Sequence, residues 1–278
     1  MDYQYDLIIA DLRLRICSLF PVNLPECFRP FLAEVSPVKP DFSIFVYTDA
    51  DFPYAIQKAD TVQRYEWKKG QYITRTEPCD EPDKIYLVIP ESFRESFSQN
   101  ANWLLYLAPE RMLIKRERVI LHASAVLYEG FAYLFTAPSG GGKSTQAQIW
   151  ENHLHAEVMN GDKVILRGNK TGLFAYGSSI AGSSGIYKNI SAPVAAIVKI
   201  EKATYNRVSV LSKRDSFLLL YSEAVKSEWD IQFNKHLMSI LERFPGDTQV
   251  IRLECLPDAS AADCLIRSIT NKERNQIK

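Results

Sequence analysis

One short stretch constrains this 278-residue chain more than any other: residues 136–145, TAPSGGGKST. An apolar run, FAYLFTA at 131–137, leads straight into three glycines. Lys143 and two hydroxyls come next, and then Ala147, Trp150 and Leu154 recur on one face at helical spacing over about 143–155. Strand, glycine loop, Lys-Ser, helix is a physical recipe for holding polyphosphate. Glycines let the backbone turn tightly and approach an anion without a Cβ in the way. Successive N–H groups form an anion nest, and the helix N-terminus adds unpaired donors and partial positive charge. On this reading Ser139, Gly140, Gly141, Gly142, Lys143, Ser144 and Thr145 bind a nucleotide. Lys143 reaches the β- and γ-phosphates, and the Ser144 hydroxyl ligates Mg²⁺. The strict pattern GxxxxGK[ST] has glycine where this chain has Ala137. Alanine is the smallest replacement and is tolerated there if its φ stays negative.

The surroundings narrow the partners. Lys+Arg and Asp+Glu number 33 each, so nothing in the overall charge supports a nucleic acid or a membrane surface as partner. No apolar run approaches the roughly 20 residues that span a bilayer. The opening MDYQYDLIIADLRLR carries acids early and lacks the basic start and apolar core of a signal peptide. The five cysteines form no CxxC pair, which predicts reduced thiols in a cytoplasmic protein. The four histidines do not combine with them at zinc spacing.

Residues 1–117 read as β-rich. Strands are predicted at 3–9, 12–18, 42–48 and 84–90, with a hairpin over 62–77 turning at Lys69-Gly70. Phe93, Phe97, Ala101, Leu104 and Leu105 recur at helical spacing, predicting a helix over 91–107 that Pro109 ends or interrupts. Residues 118–278 read as the nucleotide-binding domain. A β-hairpin is predicted from 118–128 and 131–137, joined at Glu129-Gly130. Strands come next at 163–167, 172–176 and 194–201, with a Gly/Ser-rich loop at 177–185. A helix at 213–225, a helical face of Phe233, Leu237, Ile240, Leu241 and Phe244, a strand at 248–253 and a helix at about 259–271 complete the chain. Trp103, Trp150 and Trp229 read as packing residues, as does His236. His153 and His155, at the end of the loop helix, compensate its dipole.

A phosphate loop alone does not name a reaction. The next acid able to meet a metal is Asp162, nineteen positions after Lys143 (162 − 143), on a turn between short strands. An acid so near suits a hairpin folded back against the loop. The order LHASAVLYEG, FAYLFT, APSGGGKS, TQAQIWENHLHA, VMNGDKVIL resembles the HPr kinase/phosphorylase family, within the wider phosphoenolpyruvate carboxykinase-like fold. The likeness is good over 118–170, faint to about 200, and absent from the first 110 residues. It implies an α/β fold of mixed α+β character. A mixed β-sheet P-loop domain of the HPr kinase C-terminal type would come after the β-rich N-terminal region, which is the natural place for acceptor recognition because the phosphate machinery lies entirely after residue 118.

The resemblance also implies function. ATP and Mg²⁺ would be used, with the metal on Ser144 and Asp162. The acceptor would be a serine of a peptide or small protein, and homo-oligomers are common in the family. Asp162, Lys143 and His122 take the places of the family's catalytic groups, and Lys188, after the Gly/Ser loop, that of a basic residue near the substrate. One departure stands out. The family has two adjacent aspartates, one for the metal and one as base, whereas this chain has Gly161-Asp162. Asp162 then serves both roles, or the chain binds nucleotide without transferring phosphate. A small-molecule phosphotransferase related to the carboxykinases is the third reading.

Overall fold

The structure is a computed structural model. It describes residues 1–53, 61–97, 106–169, 172–180, 182–227, 229–244 and 248–276, the side chains of 61, 183 and 270–276 excepted. The chain divides into two compact units, Met1–Met112 and Leu113–Lys278.

The first unit is built on one mixed sheet. Its strands are β1 (Tyr3–Ile9), β2 (Leu12–Ser18), β3 (Leu32–Ala33), β4 (Phe42–Thr48), β5 (Thr61–Lys68), β6 (Gln71–Glu77) and β7 (Lys84–Ile89), in the order β3-β1-β2-β4-β7-β6-β5. Strand chemistry explains them. In β4, Phe42, Ile44, Val46 and Thr48 are buried and the residues between them only half so, the period of two that a sheet imposes. Ala10 and Asp11, both at positive φ, turn β1 into β2, which matches the strand twist in a two-residue hairpin. The expected β5–β6 hairpin forms, with Gly70 at φ +78°.

The helical reading of 91–107 changes in detail. A 3₁₀ turn at Glu91–Phe93 continues into α1 (Arg94–Phe97), where Phe93 and Phe97 are buried. Ala101, Trp103, Leu104 and Leu105 lie outside the described residues. Tyr106 and Leu107 are helical, the helix breaks at Ala108 with φ +45°, and Pro109 begins a new helix, α2 (Pro109–Ile114), so the proline stands at the expected interruption. Its fixed φ and missing N–H suit the first helical turn.

The second unit carries β8 (Arg118–His122), β9 (Ser124–Tyr128), β10 (Phe131–Thr136), α3 (Lys143–Leu154), β11 (Glu157–Asn160), β12 (Lys163–Asn169), β13 (Gly172–Tyr176), β14 (Ser191–Lys202), β15 (Arg207–Val210), α4 (Lys213–Glu223), α5 (Ile231–Arg243), β16 (Gln249–Cys255) and α6 (Ala259–Gln276). The run 118–128 is two strands, not one. It breaks at Ala123, so that β9 pairs with β10 and β11 while β8 pairs with β12. The long strand β14 joins the branches. Its first residues pair with β13, and the rest runs parallel to both β10 and β16. The fold is therefore mixed α/β, on a mixed sheet of order β11-β9-β10-β14-β13-β12-β8 with β16 and β15 attached through β14.

Alternation along these strands makes two cores. On β14, Ile197 faces a core with Leu219, Leu220, Leu237 and Leu241 of α4 and α5. Ala196, Val198 and Ile200 face another, with Ala147 and Trp150 of α3 and Leu265 of α6. Trp150 is fully buried and packs on Tyr133 and Phe135. Replacing such a residue by alanine costs about 3–5 kcal/mol. This wedge fixes α3, and with it the loop at the carboxyl end of β10. Two packing expectations fail: Trp229 is exposed, ahead of α5 rather than within it, and His236 sits at the surface on Glu117 at 3.0 Å.

Candidate functional site

The site grows from the end of β10. Ala137 is not among the positive-φ residues, which explains why alanine serves where the strict motif has glycine. The glycines after it are required by geometry. Gly140 and Gly142 sit at φ +72° and +105°, where L side chains are strained. A Cβ on Gly141 would lie 2.6 Å from the Ala137 Cβ and 2.8 Å from the Pro138 carbonyl oxygen. The loop thus closes on itself, with the Gly141 N–H donating to Pro138 at 2.8 Å.

Gly142 is the N-cap of α3 and offers no side-chain acceptor to the first turn. The other long helices with described caps differ. Ser212 accepts from the Asp215 N–H of α4, and Asp230 from the Phe233 N–H of α5. The first-turn N–H groups of α3 are left for an anion. The Ser124 hydroxyl donates to the Lys143 carbonyl at 3.0 Å and ties α3 to β9. The Lys143 ammonium is buried and donates to the Ala137 carbonyl at 2.7 Å, which holds it across the loop.

Opposite the loop stands Asp162. The acid does not sit on a hairpin between its neighbours, because β11 pairs with β9 and β12 with β8 and β13. It sits where the chain crosses from one branch of the sheet to the other. Asn160, fully buried, shapes that crossing: its Oδ1 accepts from the N–H groups of Asp162 and Lys163, both at 2.8 Å. Its Nδ2 donates to the Ser178 carbonyl at 2.9 Å. Gly182 closes the other side. A Cβ there would lie 2.7 Å from the Asp162 Cγ, so the Gly/Ser loop rests directly on the acid.

His122 joins the site because β8 and β12 pair it with Lys163. Its Nε2 lies 2.8 Å from the Asp162 Oδ1, and the Lys163 ammonium lies 3.6 Å from Oδ2. His122, Ser139, Gly140, Gly142, Lys143, Ser144, Thr145, Gly161 and Asp162 line one open cleft of about 280 Å³. Residues read separately from the sequence therefore converge on one hollow. Lys188 does not join them: its ammonium pairs with Glu157 at 2.9 Å and it is not among the residues lining the cleft.

The donors suit Mg²⁺. Ser144 and Asp162 offer hard oxygens, and no group of three or more His, Cys, Asp or Glu gathers among the described residues. Magnesium characteristically takes one or two carboxylates together with phosphate oxygens and water, so this sparse set fits only with a phosphate ligand present.

Reading the sequence missed Asn160, Gly182 and Glu223. The run Asn-Gly-Asp carried a signal for the first, since asparagine commonly caps its own turn. Glu223, the last residue of α4, carried none. The next residue, Ala224, bridges Leu121 antiparallel, and the Val225 N–H donates to the Ile120 carbonyl at 2.9 Å. One step along that register sets Glu223 opposite His122. Burial raises the Glu223 pKa, opposed by the charges of His122, Lys143, Lys226 and Lys199.

Comparison with known proteins adds little. No family model matches the sequence, and no curated protein does so significantly. Among solved structures, the Hpr(Ser) kinase/phosphatase from Coxiella burnetii matches at 12% identity and a TM-score of 0.31, over 57% of this chain and 97% of its own.

Proposed function

We propose that this chain is an ATP-dependent kinase of the HPr-kinase-like class that moves the γ-phosphate of ATP to a serine hydroxyl of a peptide or small protein. The observation that carries the reading is the single cleft lined by the glycine loop, Lys143, Ser144, His122 and Asp162. The mixed sheet, with β10 parallel to β14 and antiparallel to β9, is in keeping with a phosphoenolpyruvate carboxykinase-like arrangement.

The residues act by position and charge. The loop N–H groups and the uncapped turn of α3 hold the phosphates. Lys143 leaves the Ala137 carbonyl for the β- and γ-phosphates, and its charge compensates that of the transferring group. When Mg²⁺ is bound, Ser144 and Asp162 hold it, and it neutralises phosphate charge. His122 orients Asp162 through their 2.8 Å contact. Glu223 does not line the cleft, but the Leu121–Ala224 bridge sets it opposite His122 and it feels the charges of His122 and Lys143; we assign it the part of the acid that Gly161 lacks in sequence. It accepts the proton of the acceptor hydroxyl as the acceptor oxygen bonds to phosphorus and the bond from phosphorus to the β,γ-bridging oxygen breaks, releasing ADP. Recognition of the acceptor falls to the first unit, because the phosphate machinery lies entirely in the second.

The test is phosphate transfer from Mg-[γ-³²P]ATP to candidate serine peptides. Transfer that persists in Lys143→Ala would remove the loop from the mechanism. One observation favours a second reading, a nucleotide-binding module without transfer: Gly161 stands where the resemblance expects an acid. Thermal stabilisation by ATP with no turnover across many acceptors would decide for it.

A further inference from the structure

We infer that a hollow on the far side of the glycine loop seats the nucleoside of the bound nucleotide. The inference rests on the nucleotide-binding reading and adds where the rest of the ligand goes. The hollow measures about 310 Å³ and is lined by the three loop glycines, Thr145, Gln146, Ile200, Ala203, Cys255 and Pro257, among others. Gly140, Gly142 and Thr145 line this hollow and the His122–Asp162 cleft alike. The loop is thus a shared wall between them.

The direction of the phosphate chain assigns the two sides. Lys143 and Ser144 serve the β- and γ-phosphates, and both line the cleft that holds Asp162. The γ end therefore lies with His122 and Asp162, and the α end points away from them, across the loop. Ribose and base are attached beyond the α-phosphate, on that side. The place is also the one that topology favours: β10, β14 and β16 run parallel, and open sheets bind ligands beyond the carboxyl ends of parallel strands. Ile200 and Ala203 stand at the end of β14, and Cys255 and Pro257 at the end of β16.

The chemistry of the lining suits a flat, largely apolar ring with polar edges. Ile200, Ala203, Leu256 and Pro257 offer apolar surface. Gln146 supplies the polar contact. It is 2% exposed, its Nε2 lies 3.6 Å from the Cys255 sulfur, and its Oε1 has no partner. A buried amide oxygen without a partner is uncommon and destabilising. Exchanging the amide atoms lets the thiol donate to oxygen and leaves the nitrogen free instead. Either way one end of the amide is open to a ligand group, and nucleobase edges carry both donors and acceptors. Lys202 lines the same hollow and adds positive charge for the phosphates.

Calorimetric titration of the full chain with ATP and with inorganic triphosphate tests this. Wild type should bind ATP at least about tenfold more tightly than triphosphate, a difference of ~1.4 kcal/mol. Ala203→Trp, which fills the hollow, should erase the preference and leave triphosphate affinity within about threefold. A wild type without the preference, or an Ala203→Trp variant that keeps it, overturns the inference. A wild type that binds neither probe overturns the nucleotide reading itself, and the inference with it. A second measurement needs no variant. Light-driven crosslinking of bound 8-azido-ATP should label peptides holding Ile200, Ala203, Cys255 or Pro257, read by mass mapping, and label found only elsewhere overturns the inference.

Discussion

Each unit of this molecule contains a charged cluster, and the two are built to opposite ends. In the first unit Asp6 is wholly buried, and its carboxylate accepts from Arg13, twice from Arg15, and from the Ser36 N–H. In the second unit Asp162 keeps about a quarter of its side-chain surface, with His122 on one oxygen and Lys163 at ion-pair distance from the other. Burial alone would raise the Asp6 pKa, but the hydrogen bonds of Arg15, Arg13 and Ser36 outweigh it and hold the group at about 2. A wholly buried carboxylate that accepts four hydrogen bonds within the fold has no open face for a ligand; it holds strands together. A half-satisfied one beside a glycine loop has capacity to spare. Charge burial alone therefore does not mark a site, whereas unspent hydrogen-bonding capacity around a cleft does.

The largest expected effect lies in the second cluster. Lys143→Ala should weaken ATP binding about 100-fold or more, ~2.7 kcal/mol, measured by calorimetry. Its melting temperature should stay near that of wild type, because the ammonium makes one bond in the fold, to the Ala137 carbonyl. A variant that instead unfolds would move Lys143 into the same class as Asp6.

Next comes Glu223→Gln, which separates function from stability more sharply. Burial raises this group's pKa, so the folded chain disfavours the charged form relative to the unfolded chain. At neutral pH that opposes folding, and the opposition declines as pH falls past the folded pKa and is gone below the unfolded one. The neutral amide removes it at pH 7. The variant should therefore melt higher than wild type and yet transfer phosphate roughly 30- to 100-fold more slowly, the usual scale of general-base loss. A slower variant that also melts lower would make Glu223 a structural residue.

Much of this was legible beforehand, for identifiable reasons. The glycine loop and α3 declare themselves because the apolar period changes abruptly at Gly140–Gly142 and Lys143 fixes the reading. Hairpins with local turn chemistry, such as Glu129-Gly130 and Lys69-Gly70, were equally plain. The short strand β15 was not, since four residues carry too little periodicity. The break at Ala123 was hidden inside a continuous apolar run, because both of its halves are strands. Glu223 was beyond reach. It comes opposite His122 only through the bridge between Leu121 and Ala224, about a hundred residues apart, and such pairing leaves no local mark.

Asp6→Asn tests the other half of the comparison. With a folded pKa of about 2 against an ordinary 3.8, the charged carboxylate contributes about 2.5 kcal/mol. That contribution is present in full above about pH 4 and is lost as pH falls through about 2. Asp6→Asn should cost on that order at pH 7, leave ATP affinity unchanged, and flatten the acid limb of the stability profile, as urea titrations across pH would record.

The smallest effect is the most discriminating about Lys188. Its position after the Gly/Ser loop resembles that of a substrate-contacting base, yet in the fold the bridge between Asn160 and Tyr187 carries it toward Glu157. Both partners of that pair are well exposed, and exposed pairs contribute little, about 0–1 kcal/mol. Lys188→Ala should thus change stability by less than about 0.5 kcal/mol and leave ATP binding alone. Transfer to an acceptor decides its role. An unchanged rate leaves Lys188 a surface cation, while a rise in the KM for the acceptor at constant kcat would mean that it exchanges Glu157 for an acidic group on the acceptor. That second outcome would place it beside Asp162, as a charge whose bond in the free chain is weak enough to give up.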